Sequence, residues 1–97
     1  YVYLDFTAKD WFMATLQEQF EQAAVDVKTL KEKPDNDTLL RLYALYKQGA
    51  EGDVSGPAPG FFDFVASAKY QAWSKMEGSS QESAMKKYID LVKSLTA

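Results

Sequence analysis

The sequence predicts an all-α domain of four helices. Four segments carry apolar residues three and four apart, the period of a helix with one buried face. The residue types and spacings favour no sheet. The punctuation between the segments (Pro34, Gly52 to Gly60, Gly78) falls where helices have to stop.

The first helix is expected from about Leu16 to Lys31. Leu16, Phe20, Ala23, Ala24, Val27 and Leu30 form its apolar stripe, and acidic residues lean toward its start. Lys28, Lys31 and Lys33 gather toward its end, where the helix dipole favours cations. Pro34 closes the segment, because the residue before proline is steered away from helical geometry. The second helix starts after Pro34 with Asp35 or Asn36 as N-cap. It carries Leu39, Leu40, Leu42, Tyr43, Leu45 and Tyr46 and stops near Gly49 to Gly52. Gly52 to Gly60 holds three glycines and two prolines and reads as a loop. It is long for a link between neighbouring helices, and a long link can cross a bundle end and leave its two helices parallel.

The third helix is expected to start between Phe62 and Val65 and run to about Met76, with Val65, Ala68, Ala72, Trp73 and Met76 as its stripe. Ser79 and Glu82 have the spacing of a capping box. They place a fourth helix from Ser80 to about Ser94, with Ala84, Met85, Tyr88, Leu91, Val92 and Leu95 facing inward. Residues 1–12 crowd aromatics with no clean period. They are set apart as an N-terminal extension, native or added, from a domain over residues 13–97; the competing reading is a hydrophobic arm packed on the domain.

Composition excludes several functions. The chain has 97 residues, 46% of them hydrophobic, and neither cysteine nor histidine. Disulfides, thiolate metal sites, the usual zinc sites and His-dependent nucleophilic catalysis are therefore ruled out. Asp35, Asp37 and Asp63 read as helix caps, and Glu18, Glu21, Glu32 and Glu82 as solvated charges. No catalytic residue, metal site or cofactor is expected. A net charge of -3 argues against a nucleic-acid partner. No apolar run reaches the roughly 18 residues needed to cross a bilayer.

Tyr43, Tyr46 and Lys47 lie at i, i+3 and i+4, so they share one helical face. Two phenol rings beside an ammonium suit a ligand with an aromatic base and a phosphate. They equally suit a core edge with a lysine lying over its tyrosines. Other lysines sit near aromatics or apolar stripes: Lys69 one turn before Trp73, Lys86 and Lys87 before Tyr88, Lys28 beside Val27.

With these residues in hand, the chain resembles the acyl-CoA-binding protein family from Phe20 to Leu95. Four segments carry the resemblance. They are Phe20 to Ala24 with Val27-Lys28 and Lys33-Pro34, Leu42 to Gln48 with Gly52-Asp53, Pro59 to Asp63 with Ala68 to Trp73, and Gly78 through Glu82 to Tyr88-Ile89. The resemblance implies an up-down-down-up four-helix bundle and non-catalytic binding, solubilisation and transport of long-chain acyl-CoA thioesters. It implies that Tyr43, Tyr46, Lys47 and Lys69 hold the ribose 3'-phosphate end of CoA, and that Lys28 and Tyr88 belong to the adenine pocket. Phe20, Ala24 and Leu40 would lie along the pocket and acyl groove. The chain departs from the family pattern at Ser67, where a basic residue is common, at Tyr70, where tryptophan is usual, and at Gly49, where alanine is more common. The expected protein is a cytoplasmic monomer that carries acyl-CoA and makes transient contact with membranes and acyl-CoA-using enzymes. The alternatives are a helical protein-interaction module and a processed signalling peptide.

Overall fold

The computed structural model describes residues 15–97, and the extension expected over residues 1–12 lies outside them. Four α-helices follow one another: α1 Leu16–Asp26, α2 Asn36–Glu51, α3 Phe64–Ser74 and α4 Gln81–Thr96. A short 3-10 turn, Val27–Thr29, continues α1. Among the described residues there is no strand.

Side-chain caps set the starts. Thr15 Oγ1 accepts from the Glu18 amide at 3.1 Å, and Glu18 Oε1 accepts from the Thr15 amide at 2.9 Å, a reciprocal capping box. Asp35 accepts from Thr38 N at 2.8 Å and Asp63 from Ala66 N at 3.1 Å. The α4 cap is Ser80, which accepts from Ser83 N, and not Ser79 as the spacing to Glu82 suggests. The Ser79 carbonyl instead accepts from the buried Gln48 side chain, so tertiary bonding moves the cap by one residue.

Helix α1 ends five residues before the expected Lys31. The Thr29 hydroxyl donates to the Asp26 carbonyl at 2.7 Å, taking up a backbone acceptor that a continuing helix would use. Leu30 is extended, and the chain past it turns toward α2.

The helix directions follow from cross-helix pairs. Lys69 lies over Tyr43 and Lys47 over Trp73, so α2 and α3 run parallel. Gln48 meets Ser79 and Gln81 meets Gly49 at the end of α2, so α4 runs antiparallel to α2. Phe20 touches the Gly49 end of α2, whereas Val27 and Lys28 share a groove with Leu39 and Tyr43, so α1 also opposes α2. This is the up-down-down-up bundle. In space the neighbours run α1, α4, α2, α3: α1 packs on α4, α4 on α2 and α2 on α3. The main core sits between the first three, from Phe20, Ala23, Leu42, Leu45, Tyr88, Ile89 and Val92.

One end of the bundle is fastened by hydrogen bonds. Gln48 is fully buried and donates through Nε2 to Asp53 at 2.9 Å and to the Ser79 carbonyl at 2.8 Å. The Gly78 amide donates to the same Asp53 oxygen at 2.9 Å. Trp73 Nε1 donates to the Gly52 carbonyl at 2.8 Å, and the Tyr70 hydroxyl to the Gly56 carbonyl at 3.1 Å. The long loop is thereby tied back onto α3, and Tyr70 acquires a part in holding it. Gly52 adopts φ of 85°, a left-handed geometry that glycine enters without a Cβ clash.

Candidate ligand site

The aromatic rings come together where α1, α2 and α4 converge. Phe20 stacks on Tyr46 with ring centroids 5.2 Å apart and meets Tyr88 edge-on at the same distance. Tyr46 and Tyr88 are 5.6 Å apart. Phe20 is 2% exposed and Tyr88 4%, while Tyr46 keeps 40% of its surface in solvent. Phe20 thus serves as backing for two tyrosines, and burying such a ring contributes about 1.5–3 kcal/mol. Burial raises the Tyr88 hydroxyl above its ordinary value, and the neighbouring Tyr46 adds to this, so Tyr88 stays neutral at any physiological pH.

Beside these rings lies a groove of about 600 Å³, lined by Val27, Lys28 and the chain from Leu30 to Pro34 together with Leu39, Leu42, Tyr43, Tyr46 and Tyr88. Four of the residues singled out in the sequence meet there: Lys28, Tyr43, Tyr46 and Tyr88. Lys69 stands at the edge, with Nζ 5.3 Å from the centre of the Tyr43 ring, and among the described residues it makes no ion pair. Lys47 lies on the α3 side of α2, 4.7 Å from the centre of the Trp73 ring. It is paired with Glu51, whose hydrogen bond raises its pKa above the ordinary lysine value. Lys47 is therefore a cation near neutral pH that is already engaged by Glu51, whereas Lys69 has no acidic partner among the described residues.

The other expected positions fall elsewhere. Ala24 is half-buried against the core. Leu40 lines a second groove, of about 760 Å³, with Asp37, Arg41, Ala44, Leu45, residues Ala72, Lys75 and Met76 of α3, and Lys87, Asp90 and Leu91 of α4. Conversely, Lys31 and Lys33 line the tyrosine groove although their spacing suggests only dipole partners at a helix end. The early end of α1 is what brings them there. The cluster Lys-x-x-Lys-x-Lys-Pro is the signal that would have found them, since a proline-stopped segment sends its last lysines around the helix end.

Together these features define a small helical binding domain: an aromatic and cationic groove on a bundle, with no cluster among the described residues able to hold a metal ion. The family model described as Acyl CoA binding protein matches residues 17–92, and the chain belongs to that family. It is 49% identical over 78 residues to acyl-CoA-binding protein homolog 1 of Caenorhabditis elegans, covering 80% of this chain and 91% of that one. It is 48% identical over 85 residues to enoyl-CoA delta isomerase 2 of Rattus norvegicus, covering 88% of this chain but only 22% of that protein. The crystal structure of Oryza sativa acyl-CoA-binding protein 2 superposes with a TM-score of 0.80 at 44% identity, covering 84% of this chain and 90% of that one.

Proposed function

We propose that this domain binds long-chain acyl-CoA thioesters without catalysis, keeping them soluble and carrying them through the cytoplasm as a monomer. The match to the acyl-CoA-binding family over residues 17–92 carries this reading. In it, the tyrosine groove receives the CoA head. Lys69, with Lys47 after release from Glu51, donates charge-assisted hydrogen bonds to the 3'-phosphate, each worth about 1.5–3 kcal/mol. Lys28 and the ring faces of Tyr43, Tyr46 and Tyr88 surround the adenine. Ser67 offers no charge there, so the phosphate depends on the remaining lysines. Local cations dominate the field within the groove despite the net charge of -3.

The acyl chain supplies the rest of the affinity. Each methylene removed from water contributes about 0.8 kcal/mol, so ten contribute on the order of 8 kcal/mol before ordering costs. Long chains are therefore preferred over short ones. The cargo is exchanged with membranes and with enzymes that use acyl-CoA. Titration calorimetry with palmitoyl-CoA, CoA and palmitate tests the assignment: palmitoyl-CoA is expected to bind tightest, and equal affinity for palmitate would overturn the head-group site.

A further inference from the structure

The Leu40 groove is lined by three rows of residues at one spacing. Asp37, Leu40 and Arg41 come from α2, Ala72, Lys75 and Met76 from α3 and the turn that ends it, and Lys87, Asp90 and Leu91 from α4. Each row reads i, i+3, i+4, so each element presents one face to the groove. Ala44 and Leu45 continue the α2 row and are buried at its floor. The tyrosine groove takes the other side of α2. At about 100° per residue, Leu39, Leu42, Tyr43 and Tyr46 point roughly half a turn away from Asp37, Leu40, Arg41 and Ala44.

The charges of the Leu40 groove are exposed and unpaired. Asp37 and Arg41 are four apart on α2, and Lys87 and Asp90 three apart on α4, spacings that permit ion pairs. Among the described residues neither pair forms, and Lys75 has no acidic partner. The charges are also ordered along the groove. The bonds from Gln48 to Ser79 and from Gln81 to Gly49 bring Asp90 level with Asp37 to Leu40, and Lys87 level with Leu40 to Tyr43. The pairs Lys69–Tyr43 and Trp73–Lys47 share one offset, which sets Lys75 level with Gly49. Acids therefore stand at the start of α2, and cations follow from its middle toward its end, over about 18 Å.

We propose that this groove receives an amphipathic helix of a partner protein, lying parallel to α2. Such a helix sits on α2 between α3 and α4, its ridges entering the rows at i, i+3 and i+4. Its apolar stripe covers Leu40, Ala44, Met76 and Leu91. Its positive dipole end and basic first half meet Asp37 and Asp90, and its acidic second half meets Lys87 and Lys75. An acyl chain would cover the floor and leave the charges on both walls unmatched. The same face of a second copy is itself concave and cannot fill the trough. Because the tyrosine groove lies across α2, partner helix and acyl-CoA are accommodated at once, and neither site depends on the other.

The test is fluorescence anisotropy of labelled synthetic peptides titrated with the full chain. The probe has about 18 residues, with leucines three and four apart, lysines in its first half and glutamates in its second. The control keeps the leucines and exchanges the charges of the two halves. The control is the better helix alone, because its acids lie at the positive end of its own dipole, so weaker binding of the control reports the groove and not helicity. The probe is expected to bind more tightly than the control, to bind less as salt rises, and to bind equally to protein saturated with palmitoyl-CoA. The K75E/K87E variant, altered only at exposed side chains, is expected to bind the probe about tenfold more weakly, with melting temperature and palmitoyl-CoA affinity unchanged. No binding of the probe, equal binding of probe and control, or undiminished binding by K75E/K87E would each overturn the proposal. Release of the probe by palmitoyl-CoA would overturn it by giving the groove to the acyl chain. A dimer in velocity sedimentation that K75E/K87E abolishes would overturn it by giving the groove to a second copy. The first titration is made without acyl-CoA, so failure here and failure of the ligand assignment are distinguishable.

Discussion

The tyrosine groove and the Leu40 groove are built by the same rule and lined by different chemistry. The first lies between α1 and α2, which meet through the Phe20 ring rather than along their backbones, and α4 contributes Tyr88 to it. The second lies between α3 and α4, whose backbones also stay apart, and α2 contributes Leu40, Ala44 and Leu45. The second is the larger, yet its charges are mixed: Arg41, Lys75 and Lys87 stand with Asp37 and Asp90. The first holds three tyrosines and three lysines against one glutamate. In the proposed reading a nucleotide phosphate takes the smaller groove, because its positive rim and ring faces suit that ligand better than size does.

The largest expected effect comes from removing what supports both grooves. Gln48→Ala deletes the donor shared by Asp53 and the Ser79 carbonyl and is expected to cost about 2–3 kcal/mol of stability by urea unfolding. Gln48 Oε1 is itself buried and has no hydrogen-bond partner among the described residues, which limits the loss. If the grooves are independent of this fastening, palmitoyl-CoA affinity of the folded protein stays within about twofold. Next comes the contrast itself. Lys69→Ala is expected to weaken palmitoyl-CoA binding about tenfold and to reduce its salt dependence. Lys75→Ala, in the other groove, is expected to change affinity by less than about twofold. Equal losses would mean that the head group spans both grooves.

The smallest effect is on pH. The Gly78 amide, and then Gln48, hold the Asp53 carboxyl below its ordinary value, and the Thr38 amide does the same for Asp35. Their folded-state pKa values are depressed, so their stabilising contribution is complete above the ordinary carboxylate pKa. It is lost as pH falls through the folded values. Urea midpoints from neutral pH down to about pH 3 are expected to decline, and less steeply in Asp53→Asn.

Helix periodicity made the four elements legible, because the apolar stripes of α1, α2 and α4 became the core they predict. Parallel α2 and α3 were legible in the length of Gly52 to Gly60. The cap at Ser80 was not, since the local spacing to Glu82 favours Ser79 and a bond from Gln48, far away in sequence, occupies the Ser79 carbonyl instead. At the site, Tyr43 and Tyr46 share a face by spacing alone. Their meeting with Tyr88 depends on Phe20 reaching across from α1, which only packing reveals. Gly49 eases that reach: a Cβ there would stand 3.0 Å from the Phe20 ring and 3.1 Å from Met85, so these side chains would have to yield by a few tenths of an ångström. The residue commonly found at this position in the family would crowd the ring.

Among the described elements, helix α3 packs on α2 alone. A helix with one neighbour opens at a lower free energy than helices held on two sides. Amide hydrogen exchange in α3 should therefore be fast at its exposed Phe64 end and slower toward Trp73, where the indole anchors it to Gly52. Lys69 lies between these ends, on a helix at the edge of the bundle. A ligand held by Lys69 would slow exchange along α3 first, making that helix the moving part through which occupancy of the groove is felt.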